Sequence, residues 1–446
     1  MSTTATASTQ QPVNSPRKVI LASLIGTSIE FYDFYAYATA AVLVFPTLFF
    51  ASDSETTSLL ASFAVFGVAF IARPLGSIIF GHFGDKVGRK QTLVAALLTM
   101  GIATTLIGLL PTAQTPGWEI LAPALLVVMR FGQGLGLGGE WSGAALLATE
   151  NAPTGKRAIF GTFPQLGAPI GFVLANTVFI VLSYALTPEQ FMDWGWRVPF
   201  LASAILVIVG LWVRISLIET PSFTRMVEKQ AVAKMPLARV FKTAWKPLIQ
   251  GTFIMFATYV LFYLMTTFTL TYGTASSDAE VPGLGYERTD FLWMLVFGVV
   301  FFGIFTLVSG PLAEKQGRRK MLTWVTVAIA VFGFLWVPLF GGGFLGTMVM
   351  LSLGFTLMGL TFGPMAAYLP ELFPANVRYT GSAIAYNVSS ILGAAVAPFI
   401  AVALWTVGEG STFWVGVYLA AAAVVTFVAL RLTHDTRDIE YIENLE

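Results

Sequence analysis

The sequence predicts an all-α integral membrane protein with twelve transmembrane helices in two pseudo-symmetric six-helix bundles. Three observations predict it. Of 446 residues, 56% are hydrophobic and only 11% charged, against roughly 25% charged in an ordinary soluble domain. The apolar residues fall into twelve runs, each near the about 20 residues that a helix needs to cross the hydrocarbon core. Charged loop patterns of the first half also recur in the second. The 42 glycines and 22 prolines sit inside the apolar runs, where membrane helices use them more freely than soluble ones do.

The chain opens with a Ser-, Thr- and Gln-rich stretch ending in Arg17 and Lys18, and residues 1–18 are expected to form a disordered cytoplasmic tail. The apolar run that follows is too long for a cleavable signal and contains Glu30 and Asp33, so it reads as the first span. Spans are expected at 19–45, 59–80, 91–111, 120–148, 158–186, 198–219, 247–272, 289–313, 320–340, 345–370, 380–406 and 412–433. An even number puts both ends on one side. With that side cytoplasmic, 21 of the 25 Lys and Arg lie in cytoplasmic segments or helix ends, as the positive-inside rule requires. Arg197 and Arg288 lie outside, and Arg73 and Arg130 lie within spans.

Self-similarity divides the chain. Gly81-x-x-x-Asp85-x-x-Gly88-Arg89-Lys90, after span two, recurs as Gly310-x-x-x-Glu314-x-x-Gly317-Arg318-Arg319 after span eight, 229 residues on. Glu150-x-x-Pro153-x-x-x-Arg157, after span four, recurs as Glu371-x-x-Pro374-x-x-x-Arg378 after span ten, 221 residues on. The domains are therefore an N-terminal bundle at 19–219, a basic cytoplasmic connector at 220–246, a C-terminal bundle at 247–433 and a cytoplasmic tail at 434–446.

The same composition excludes several functions. A net charge of +1 gives no basic surface for nucleic acid. Without cysteine there is no thiolate metal site, and His82 and His434 alone cannot make a multi-histidine centre. No metal or cofactor is expected. Gly134, Gly136 and Gly139 spell G-x-G-x-x-G, but a dinucleotide loop needs a strand before it, and this pattern lies mid-helix behind Arg130. Gly132, Gly136, Gly139 and Gly143 instead follow helical spacing, a stripe that lets a neighbouring helix come close. No phosphate-binding G-x-x-x-x-G-K-[ST] loop and no nucleophile–base pair occurs, so neither an ATP-driven permease nor an enzyme is expected.

These motifs resemble the major facilitator superfamily: the GHFGDKVGRK loop, its weaker copy GPLAEKQGRR, the R-x-x-Q-G-x-G of span four (Arg130, Gln133, Gly134, Gly136) and the P-E-x-x-P-x-x-x-R after span ten. Within it, EFYDFYAYATAAVLVFP, ARPLGSIIFGHFGDKVGRK, GGEWSGAALLATENAP and WGWRVPF are similar to the metabolite:H+ symporter family. That family includes bacterial permeases for shikimate, 2-oxoglutarate, citrate, proline and betaine. The resemblance implies uptake of a small organic solute with H+ by alternating access, in the cell membrane. A monomer is expected, with the bilayer as its other partner. Uptake of a zwitterionic osmolyte and export of a drug or metabolite are the alternatives.

An ionisable side chain at bilayer depth costs on the order of 3 kcal/mol or more, so it marks function by default. Glu30 and Asp33 lie about 17 to 21 Å along span one, and their i, i+3 spacing brings them together on one face with Tyr37 a turn beyond. Two carboxylates in low dielectric cannot both ionise cheaply, which outlines a proton carrier. Arg130 stays charged, and its fork suits a carboxylate of substrate or protein. The resemblance implies proton coupling at Arg130, alternating between Asp33 or Glu30 and the solute, with Glu140 beside them; fixed ion pairs tying helices together are the plainer reading. Arg73 is expected to snorkel to the cytoplasmic interface and serve a gate. Solute contacts are expected from Arg130, Gln133, Tyr37 and Gln165, and from Tyr259, Tyr263, Tyr386 and Asn387, because such sites lie at mid-membrane between the halves. The resemblance further implies that the repeated loops lock the cytoplasmic side, through Gly81, Asp85, Gly88 and Arg89, Glu150 and Arg157, Glu314 and Arg318, and Glu371 and Arg378.

Overall fold

A computed structural model describes residues 16–87, 89–153, 155–215, 236–374 and 377–436; the side chains of residues 16, 81–90, 236, 238 and 239 lie outside that description. The chain runs through Pro16–Leu43 (α1), Glu55–Val87 (α2), Arg89–Leu109 (α3), Leu121–Glu150 (α4), Arg157–Ala185 (α5) and Val198–Ile215 (α6). Trp245–Thr274 (α7), Arg288–Gln316 (α8), Arg318–Phe334 (α9), Gly343–Glu371 (α10), Arg378–Val407 (α11) and Phe413–Arg431 (α12) complete it. No strand occurs among the described residues. Among the described residues eleven helical stretches are long and apolar enough to cross a membrane. The twelfth element, α9, is 17 residues long and resumes after Leu335 as Trp336–Phe340.

Helices outrun the apolar windows that announce them. Hydrogen bonding continues past the last apolar residue, so α8 carries Glu314 on its final turn and α10 ends on Glu371. The second half therefore does bury charge at its helix ends, contrary to a reading by hydropathy alone. Of the expected connector, only the part beyond residue 235 is described, including a short helix Pro236–Thr243.

Packing repeats with the same order in both halves. In the first, α1 lies on α5, α2 on α4 and α3 on α6; in the second, α7 lies on α11, α8 on α10 and α9 on α12. This is the pseudo-symmetry that the repeated loops predict. The halves meet along a seam where α2 touches α11, α5 touches α8, and the ends of α4 and α5 touch α10. The outer surface is lipid-like, with Trp212, Ile205, Ile208, Phe344 and Leu345 well exposed.

Glycine sets the closest approaches, on the expected stripe at Gly136 and Gly139, where a Cβ would lie 2.7 Å from the Ala96 carbonyl oxygen and 2.9 Å from Phe80 Cβ, and beside it toward α2. A Cβ at Gly134 would lie 2.2 Å from the Ala69 carbonyl oxygen, and one at Gly138 2.1 Å from that of Arg73. At Gly132 and Gly143 the nearest atoms would be 3.3 and 3.5 Å away. The contact of α4 with α2 is thus tight at Gly134 and Gly138, and it fixes the height of Arg73 against α4.

Irregular turns mark the seam. Pro164 precedes a break in α5 at Leu166, α4 breaks at Gly138 and Gly139, and π-turns interrupt α7 at Leu264–Phe268 and α11 at Ser390–Ala395. A π-turn inserts a residue into the i→i−4 ladder and recurs at functional sites. Here the two lie next to Tyr263 and Asn387.

Candidate functional site

A small space at the seam is lined by Phe31, Arg73, Thr258, Tyr259, Phe262, Tyr263, Phe362 and Tyr386. Among the described residues Arg73 is its only charged wall. Arg73 does not snorkel: it is 5% exposed, with its guanidinium 4.8 Å from the Phe70 ring centre and 5.3 Å from that of Phe34. Pro74 and the Gly138 approach hold this part of α2 inside the bundle, so the side chain has no aqueous interface to reach. Its electrostatic neighbours are Tyr263, Tyr259, Tyr386 and Glu30.

Arg130 lies deeper in the first half, fully buried. Its guanidinium caps the Tyr37 ring at 4.0 Å and sits 4.9 Å from the rings of Phe34 and Phe66. Cation–π contact of this kind offsets part of the desolvation of a cation. Nε donates to the Phe66 carbonyl at 3.3 Å, and Nη1 to Gln133 Oε1 at 3.0 Å. Gln133 Nε2 donates to Thr104 Oγ1 at 2.7 Å, and Thr104 lies 3.0 Å from Asp33 Oδ2. Arg130 and Asp33 are thus joined through an amide and a hydroxyl rather than by direct contact. Among the described residues Nη2 of Arg130 has no hydrogen-bond partner.

Glu30 and Asp33 share only Glu140 as a charged neighbour, despite their spacing. Asp33 faces Thr104 and Ser203, whereas the charged neighbours of Glu30 are Glu140, Arg73 and Arg214. A turn of 300° over three residues is enough to aim them into different helix interfaces. Glu140 forms a buried ion pair with Arg214 Nη2 rather than with Arg130. Arg214 also donates to the Leu93 carbonyl at 2.6 Å. Hydropathy assigns Arg214 to the cytoplasmic end of span six; its burial could be found only by pairing it with Glu140.

Two of the expected solute contacts are committed elsewhere. Gln165 accepts from Trp141 Nε1 at 2.9 Å and donates to the Phe362 carbonyl at 2.8 Å. Asn387 donates to Ser77 Oγ at 2.6 Å and to the Gly138 carbonyl at 3.2 Å. Both therefore bridge the halves instead of lining the space. Tyr37 packs on Arg130, and Gln133 serves the Arg130 chain. Tyr259, Tyr263 and Tyr386 do line it.

Toward the basic end of the bundle, Glu314 Oε1 accepts the Ala158 N–H at 2.6 Å, joining α8 to α5 across the seam. Arg318, 1% exposed, lies 2.8 Å from Glu371 and 3.4 Å from Glu314. The Thr436 hydroxyl donates to Glu371, Arg157 adds its charge beside that carboxylate, and Arg378 Nε donates to the Phe373 carbonyl at 3.3 Å. Glu150 and Arg157 are half-buried at either end of the α4–α5 loop. Gly81, Asp85, Gly88 and Arg89, expected as gate residues, lie outside the described residues or side chains, as does the side chain of His82.

The family model of the Major Facilitator Superfamily matches residues 23–398. This chain belongs to that superfamily. An inner membrane metabolite transport protein of Escherichia coli K12, YhjE, is 57% identical over 429 residues and 96% of both chains. The shikimate transporter of the same organism is 35% identical, over 94% of this chain and 95% of its own length. Its proline/betaine transporter is 31% identical, over 94% and 84%. A solved proton:xylose symporter, XylE, superposes with a TM-score of 0.74 over 94% of this chain and 96% of its own at 17% identity, a likeness of fold. This superfamily member is a multi-pass membrane protein that transports metabolites and is not an enzyme.

Proposed function

We propose that this superfamily member is a proton-coupled symporter that takes up a small organic carboxylate by alternating access. It works as a monomer in the inner membrane with both termini in the cytoplasm. The observation that carries the solute class is Arg73, the one charge among the described residues that lines the space between the halves. A guanidinium in low dielectric attracts a carboxylate and binds it through a planar fork. Asp33 holds the transported proton, and Arg130 is the cation that senses it through Gln133 and Thr104. Tyr259, Tyr263 and Tyr386 orient the solute, Glu30 and Glu140 tune the field around Arg73, and the Glu314–Arg318–Glu371 cluster closes the cytoplasmic side.

A zwitterion is the second reading, favoured by the rings of Phe31, Phe262, Phe362 and the tyrosines, which suit a quaternary ammonium. Arg73 among those rings opposes it.

Purified protein in vesicles with an acid exterior tests both. Shikimate, 2-oxoglutarate and citrate should accumulate, and a protonophore should abolish it. One proton with a monoanion moves no net charge, whereas one proton with betaine moves one, gaining about 2.3 kcal/mol per 100 mV. Accumulation of shikimate that ignores an imposed potential supports the first reading. Potential-driven betaine uptake without carboxylate uptake sinks it.

A further inference from the structure

Thr104 has one proton and two acceptors within reach. Its Oγ1 lies 3.0 Å from Asp33 Oδ2 and 3.0 Å from the Met100 carbonyl oxygen, and it accepts from Gln133 Nε2 at 2.7 Å. The direction of the last bond is forced. A guanidinium has only donors, so Arg130 Nη1 must meet the Gln133 carbonyl oxygen, and this turns the Gln133 amide nitrogen toward Thr104. The hydroxyl oxygen must therefore accept, and its proton goes either to Asp33 or to Met100. Thr104, Asp33, Gln133 and Arg130 are each at most 1% exposed, so no solvent competes for these bonds.

We propose that Thr104 is the positioning residue that carries the protonation state of Asp33 to Arg130, by swinging its O–H between Asp33 and the Met100 carbonyl. With Asp33 charged, Thr104 donates to Oδ2 and the negative charge pulls on the Gln133–Arg130 arm. When a proton from the aqueous side binds Asp33, the new carboxyl O–H donates to Thr104 Oγ1, whose own proton turns to Met100. Both states leave the Thr104 hydroxyl and the Gln133 amide with acceptors, and the pull on Arg130 is lost only in the second. No proton passes beyond Asp33. The other groups facing Asp33 are Ser203 on α6, Glu140 on α4 and Tyr32 on its own helix; among those three only Glu140 is a carboxylate, and it is held by Arg214.

The inference rests on the proton-coupled reading, and the test separates the two. Thr104→Val keeps the shape and removes the hydroxyl; Thr104→Ser restores it. In proteoliposomes with shikimate, 2-oxoglutarate and citrate as probes, Thr104→Val should lower proton-driven accumulation by about an order of magnitude, the worth of a hydrogen bond to a charged group. Counterflow exchange, which moves no net proton, should persist, and Thr104→Ser should recover accumulation. A merely structural loss would lower both. Undiminished accumulation in Thr104→Val overturns the inference. If wild type carries none of the three probes, the carboxylate reading fails and solute-free infrared spectra decide. The protonated carboxyl band that Asp33→Asn removes should shift in Thr104→Val and return in Thr104→Ser. A band that does not move, or no such band, overturns the inference as well.

Discussion

Trp141 on α4 and Tyr386 on α11 stack across the seam, ring centres 3.9 Å apart and planes 9° from parallel. Tyr386 also lines the space that Arg73 lines, so the pair joins that space to the seam. The bonds of Gln165 to Phe362, of Asn387 to Ser77 and of Tyr379 to the Gly139 carbonyl, at 2.8 Å, lie around it. All of them join one half to the other. Any conformation open to the cytoplasm must break them.

Trp141→Ala should therefore favour the inward-open state. An aromatic pair contributes about 0.5–1.5 kcal/mol beyond its buried area, a shift of roughly 2- to 12-fold in the open-to-closed ratio. The native chain has no cysteine, so spin labels at two introduced cysteines near the ends of α4 and α11 can measure it. Unchanged distance distributions would show that the stack does not hold this side shut.

Arg73→Gln should weaken carboxylate binding, since a hydrogen bond to a charged group contributes about 1.5–3 kcal/mol, or roughly 10- to 150-fold in affinity. Arg73→Lys keeps the charge but loses the fork and should fall between. Concentration dependence of shikimate counterflow reads this directly. An unaltered half-saturation in Arg73→Gln would remove the case for an anionic solute at this position.

The Arg214–Glu140 pair makes a prediction about stability alone. Removing one partner of a buried pair leaves an uncompensated charge, at a cost of about 3–5 kcal/mol, whereas replacing both is often tolerated. Glu140→Gln should lower the thermal midpoint in detergent markedly, and the double variant Glu140→Gln with Arg214→Gln should recover most of it. Among the described residues Glu30 has no ion-pair contact, and it faces Glu140 as a like charge, so Glu30→Gln should cost little or stabilise. Equal losses for Glu30→Gln and Glu140→Gln would contradict this ordering.

Hydropathy, loop repeats and glycine spacing make the twelve-helix architecture legible because each reports a local requirement: span length, helix-end charge, or close approach. The site was legible as an inventory but not as a wiring diagram. Arg130, Asp33 and Glu140 stand out because a charge in an apolar run is costly, whereas Thr104 looks like any hydroxyl in a span, and its place opposite Asp33 depends on how α3 is rotated against α1. The burial of Arg73 is hidden for the same reason: nine residues from His82 it is near the helix end by count, yet the packing of α2 on α4 turns it inward. Gln165 and Asn387 have the chemistry of solute ligands, and only the neighbouring backbone carbonyls show that they are spent on closure.

Glycine substitutions on α4 test whether close packing, rather than ligand approach, explains the G-x-G-x-x-G run. A methyl at Gly134 would meet the backbone of Ala69 at 2.2 Å from its oxygen and 2.7 Å from its Cα. Backbone cannot step aside as a flexible side chain can, so α2 and α4 must separate along their whole contact. Overpacking of a rigid interior costs about 1–3 kcal/mol and sometimes more, and here the displaced helix carries Arg73. Gly143 is the internal control: its methyl would meet only the Leu93 and Tyr379 side chains, at 3.5 and 3.8 Å, ordinary contact distances. Gly134→Ala should therefore lower both the thermal midpoint and counterflow, while Gly143→Ala should be neutral. If Gly134→Ala folds with wild-type stability and exchange, α2 and α4 are not locked by this contact, and the position of Arg73 needs another cause.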